Sequence, residues 1–128
     1  MGQQQILLVI VGVIIVGLAI AVGIALFGAQ SVASNRDAMI TDLQHISLLA
    51  YQYRITLRTM AGGQGDYSLF VIPSQMTSNS NGTYSITDAQ PNTLTLQAVS
   101  ANSVANTITV IVDSQGKLGS LTFGGEFQ

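Results

Sequence analysis

Between Ile6 and Phe27 the chain runs 22 residues without a charged side chain or a proline, and sixteen of them are Ile, Leu, Val or Phe. As an α-helix this run spans about 33 Å at ~1.5 Å per residue, enough to cross a hydrocarbon core of about 30 Å. Leaving those side chains in water costs on the order of 24 kcal/mol at roughly 1.5 kcal/mol each, more than a small domain has to spare. The run must be buried, either in lipid or against other protein. A cleavable secretory signal needs a basic start, a shorter apolar core and a small-residue cleavage site. Here only Met1, Gly2, Gln3, Gln4 and Gln5 precede the run. A plain membrane anchor normally carries Lys or Arg on its cytoplasmic flank, and this one does not.

The remainder is short of charge. Six acidic and four basic side chains leave a net charge of −2, and charged residues are 8% of the 128, against ~25% in an ordinary soluble domain. The polar surface is therefore built from Ser, Thr, Asn and Gln. No run of Lys or Arg is present to displace counterions, so nucleic acid is not expected as a partner. Cysteine is absent, which removes disulfides, thiolate nucleophiles and Cys-ligated metals and leaves the redox compartment open.

Past Phe27 the helical pattern changes character. Met39, Leu43, Ile46, Ala50, Tyr53, Leu57 and Met60 recur at alternating spacings of four and three, one apolar stripe of an amphipathic helix. No proline occurs before Pro73, and Gly62, Gly63 and Gly65 are a strong stop. The spacing predicts one nearly continuous helix from Gln3 to Met60. After it the period becomes two. Residues 67–72, 82–87, 93–99, 107–113 and 118–123 read as short strands, the last two joined by a hairpin over Asp113–Lys117. Tyr84, Ile86, Leu94, Leu96, Ala98, Ile108, Val110, Val112, Leu121 and Phe123 give the sheet one apolar face, which needs a cover. The helix stripe is the available one. The expected fold is α+β, a long N-terminal hydrophobic helix with a small antiparallel sheet packed on its C-terminal half. Residues 1–30 form the hydrophobic transmembrane or filament-core helix, 31–61 its amphipathic continuation and 62–128 a β-rich head.

With these residues in place the chain resembles the type IV pilin superfamily, which includes pseudopilins and archaeal pilus proteins. The resemblance implies a structural subunit of an extracellular helical filament. Its apolar helix is held in the membrane before assembly, and a pilus assembly machinery is the partner. Where bacterial members carry a glutamate near the start of the helix this chain has Gln5, and where they commonly carry a proline it has Val22 beside Gly23. A leader removed ahead of Met1 is one expectation for how the family's processing would apply, and it would have supplied the missing basic flank. A glutamine hydrogen-bonds without burying a charge, so assembly would rest on neutral contacts. Gln3, Gln4 and Gln5 are expected to bond between subunits or to cap their own helix, and the N-terminal amine to find a carbonyl. Gly17, Ala21 and Ala25 lie four apart on one face, and Ala19 with Gly23 repeats the spacing. Such rows let helix backbones approach closely, although glycine and alanine are also simply common in membrane helices. The other reading open at this point is a monomeric single-span tether carrying an extracytoplasmic binding or sensor domain.

Chemistry has few footholds. His45, three residues after Asp42, makes two ligands at most, short of a closed metal site; it reads as a polar residue beside the stripe. Asp66, Asp88 and Asp113 adjoin turns, where aspartate caps backbone donors. The GGQG stretch at 62–65 lacks the Lys-Ser/Thr ending of a phosphate loop. With one histidine and no elbow motif a Ser triad is not expected. No enzyme activity, cofactor or metal is expected. Arg54 and Arg58, with Arg36 further back, are expected to bond carbonyls or carboxylates between subunits, and Tyr51, Tyr53 and Phe27 to serve packing. Asn81-Gly82-Thr83 matches a glycosylation acceptor.

Overall fold

A computed structural model of the chain describes residues 2–128. The chain divides into two units, one up to Ala33 and one from Ser34 to Gln128. Helix α1 covers Gly2–Ile55, and the second unit, the head, adds β1 (Gly82–Ala89), β2 (Leu94–Ser100), β3 (Thr107–Val112) and β4 (Thr122–Gly124). The strands form one antiparallel sheet in the order β1-β2-β3-β4. The α+β architecture and the helix-on-sheet packing are as the sequence implies.

The core of the head follows from the two periods. On α1, Met39, Leu43, Ile46 and Ala50 are fully buried. From the sheet come Tyr84, Leu94, Leu96, Ala98, Ile108, Val110 and Val112, and from the irregular segments Tyr67, Phe70, Ile72 and Phe127. Along β2 burial alternates residue by residue, the signature of a sheet with one covered face. The uncovered face is mostly hydroxyl and amide: Thr83, Ser85 and Thr87 are exposed, and Thr95, Gln97, Thr107 and Thr109 half-buried, with Val99 and the exposed Ile111 as its apolar members.

Three expectations need correction. The helix ends at Ile55, not Met60. Leu57 has extended backbone, with φ −64° and ψ 149°, and Leu57 and Met60 are exposed. The glycine stretch folds back to cap the helix instead of extending it. The N–H of Gly63 donates to the carbonyl of Tyr53 (2.7 Å), that of Gly65 to Arg54 (2.6 Å) and that of Gln64 to Thr56 (2.9 Å), satisfying carbonyls the helix end leaves open. Gly63 is required there because a Cβ would strike the Asp66 carbonyl and the Tyr53 ring.

Residues 67–72 are not a strand. Phe70 donates its N–H to the Tyr67 carbonyl (2.9 Å), a turn, and Tyr67 reaches the Pro91 carbonyl (3.3 Å). Phe70 and Ile72 point inward and Leu69 and Val71 outward, so the alternation is real but no ladder accompanies it. The last expected strand, 118–123, is displaced. Leu118 makes a single bridge to Val112, and the ladder with β3 is carried by Thr122–Gly124. Leu121 and Phe123 are only half-buried.

Candidate assembly segment and head latch

The apolar segment of α1 is bare. Every Ile, Leu, Val and Phe from Ile6 to Phe27 is exposed, from 49% at Val11 to 77% at Phe27. By length and composition the helix suffices to cross a membrane. Gln5, Gly17, Ala19, Ala21, Gly23 and Ala25 are all exposed on it. A Cβ added at Gly12, Gly17, Gly23 or Gly28 would meet nothing within 4 Å. A glycine inside a helix costs roughly 0.5–1 kcal/mol relative to alanine, and nothing within the chain requires one at these four positions. Among the described residues, no side-chain hydrogen bond joins Gln3, Gln4 or Gln5 to a partner. The N-terminal amine belongs to Met1, outside the described residues.

In the head, a polar latch fixes the 79–84 segment to α1. The Oδ2 of Asp42 accepts the phenol of Tyr84, the Nδ2 of Asn79 (2.9 Å) and the Nδ2 of Asn81 (3.1 Å). Two turns earlier on the same helix face, Asn35 donates to the carbonyl of Asn81 (3.0 Å) and accepts the hydroxyl of Ser100 (2.6 Å). In the sequence Asp42 stands out only as a neighbour of His45, and local pattern does not disclose this role. The signal was present in the seven-residue spacing of Asn35 and Asp42 around Met39, opposite the amide-rich run at 79–81. His45 itself is exposed. Asn81 is half-buried, and the nitrogen that would carry a sugar is the one bonded to Asp42.

The electrostatics of the latch follow from these bonds. Burial disfavours charge on Asp42, but the donors Tyr84, Asn79 and Asn81, with His45 nearby, outweigh it and hold the carboxyl below its ordinary 3.8. Burial, then the bond and charge of Asp42, push the Tyr84 phenol well above its ordinary 10.0. The contribution of Asp42 to stability is therefore fully present above the unfolded value and lost as pH falls through the depressed folded one. That of Tyr84 is present below the unfolded value and lost as pH rises through the raised one. Melting of a fragment spanning residues 34–128 should thus weaken at both extremes. Asp42→Asn should flatten part of the acid arm and Tyr84→Phe the alkaline arm. The acid arm is shared, because backbone amides also depress Asp113 (Lys117, then Gln115) and Ser68 depresses Asp66. Identical pH profiles for wild type and Asp42→Asn would contradict the assignment.

The arginines each have partners within the chain. Arg54 donates to the carbonyl of Ser114 (2.8 Å) and to Oδ1 of Asn92 (3.1 Å) and lies 5.4 Å from the Tyr67 ring centroid. Arg58 faces Asp66 at 3.9 Å and Arg36 faces Asp37 at 3.7 Å. The turn aspartates act as capping acceptors: Asp113 takes the N–H groups of Gln115 and Lys117, both at 2.9 Å, and Asp66 that of Ser68 at 2.7 Å. Asp88 instead accepts the side chain of Gln90 (3.0 Å). Tyr53 packs on Phe70 with ring centroids 5.6 Å apart. Among the described residues no group of three or more His, Cys, Asp or Glu is placed to hold a metal ion. Compared with protein-family models, curated proteins and solved structures, the chain matches none.

Proposed function

We propose that the chain is the structural subunit of an extracellular helical filament of the type IV pilin kind, a homo-oligomer assembled through its apolar N-terminal helix. Before assembly the same segment lies in the membrane, and a pilus-type assembly machinery moves it from one setting to the other. The observation that carries this reading is the pairing of a wholly exposed apolar segment with glycines that nothing in the chain itself requires. Close approach by the helices of other copies would account for both. Gln5 then contributes a neutral hydrogen bond in the filament core.

The tethered-domain reading asks for a ligand site in the head. One hollow there, lined by Tyr53, Arg58, Gly62, Gly63, Asp66 and Leu69, measures about 90 Å³, against roughly 300–1,000 Å³ for an ordinary small-molecule site. A second, about 300 Å³, is an open groove lined by Phe70, Val71, Ile72, Thr77, Tyr84, Ser85 and Ile86, without a charged group. Neither gives the tether reading specific support.

Electron microscopy of material sheared from expressing cells tests the filament. Gly17→Ile and Gly23→Ile should abolish filaments while leaving membrane insertion intact, because isoleucine inserts more readily than glycine but holds helices apart. Normal filaments from both variants would refute close packing at these rows. A wild type without filaments would favour the tether.

A further inference from the structure

An asparagine followed by glycine is chemically labile, because no side chain on the second residue hinders its backbone nitrogen from attacking the amide carbon. Asn81-Gly82 is such a pair, and the fold needs both members. Gly82 is buried beside β2, paired with Ser100, where a Cβ would run into the Val99 carbonyl. Asn81 supplies the latch to Asp42, and its carbonyl accepts both Asn35 (3.0 Å) and the N–H of Ala101 (3.0 Å).

We propose that Asn81-Gly82 is a latent deamidation site: the folded head holds it inert, and its conversion to aspartate or isoaspartate releases the 79–84 segment from the helix. In the reaction the Gly82 nitrogen gives up its proton and bonds to Cγ of Asn81. The Cγ–Nδ2 bond breaks and the amide leaves as ammonia. The resulting succinimide takes up one water and opens to aspartate or isoaspartate. Water is the sole co-reactant.

The fold blocks each part of that sequence. The attacking N–H is occupied, donating to Oδ1 of Asn79 at 3.1 Å, and the same oxygen accepts the N–H of Asn81 at 2.8 Å. The leaving nitrogen is tied to Asp42, and bonds to the Asn81 carbonyl resist the backbone rotation that ring closure needs. Once deamidation occurs the logic reverses. A carboxylate stands where an amide donated, 3.1 Å from the carboxylate of Asp42, and like charges at that range repel. Isoaspartate also lengthens the backbone by one atom at the start of β1, which disturbs its register with β2.

The test uses the full chain in detergent micelles at mildly alkaline pH, native and denatured, with deamidation followed by mass spectrometry of peptides. Native Asn81 should convert on the order of 100-fold more slowly than denatured Asn81, since reaction requires opening of several hydrogen bonds. Asn102, exposed in the β2–β3 turn, should show a much smaller gap. Asp42→Ala should raise the native rate at Asn81 severalfold, though not to the denatured rate; Asn79→Ala, at an exposed residue, should do so too and guards against misfolding of the first variant. Chains converted at position 81 should melt at lower temperature than unconverted ones. Equal native and denatured rates would overturn the protection, and unchanged melting after conversion would overturn the release.

Discussion

Leu43→Ala in a fragment spanning residues 34–128 is expected to lower the free energy of unfolding by about 2–5 kcal/mol and the melting midpoint by roughly 10–30 °C. Leu43 is fully buried on the stripe that carries Met39, Ile46 and Ala50. Removing it takes away contacts with the sheet and leaves a cavity that helix and strands cannot both close. Leu48 is the control. It lies on α1 but is 57% exposed, so Leu48→Ala should stay within about 0.5 kcal/mol of wild type. Calorimetry or denaturant unfolding reads both. Equal effects from the two variants would mean that the stripe does not face the sheet.

Ile15→Lys is expected to remove the chain from the membrane fraction and to leave no filaments. Ile15 lies near the middle of the charge-free run, where a lysine costs about 3 kcal/mol more than an apolar residue for insertion. A filament core would be no more tolerant, since an unpaired buried ammonium has no counter-charge among 35 charge-free residues at this end of the chain. Fractionation and microscopy together separate the two losses. Wild-type insertion and filament yield would show that residue 15 is buried in neither setting, and would overturn the assignment of this run as the spanning and assembly segment.

The helix and the middle strands were legible because each depends on a long, uninterrupted period. The stripe from Met39 to Ala50 and the alternation along β2 are read directly from residue type. The errors fall where local pattern and long-range bonding part company. Leu57 and Met60 continue the helical spacing, but the glycines at 62–65 reach back to the carbonyls of Tyr53 and Arg54, and that fold-back competes with another helical turn. Tyr67–Ile72 alternates like a strand, yet a strand exists only if a neighbour offers a ladder, and Tyr67 spends its N–H on Pro91. The latch was hidden for a related reason. Asp42 has its partners 37 to 42 residues away, and no local rule brings Asn79, Asn81 and Tyr84 to it. Of the assembly segment, residue type gives the need for burial and the spacing of small residues. The exposed glycines add that the need is not met within one chain.

The scarcity of free charge in the head has a consequence for the medium in which the chain works. Charged side chains are 8% of the chain and leave a net charge of −2; Arg36 and Arg58 have carboxylate partners nearby, Arg54 binds neutral oxygens, and the open sheet face presents mostly threonines and amides. Dissolved ions act on proteins mainly by screening exposed charges, over about 8 Å at physiological ionic strength. Here they find little to screen. In the filament proposed above, cohesion between copies through neutral, apolar contacts would persist in fresh water and in brine alike.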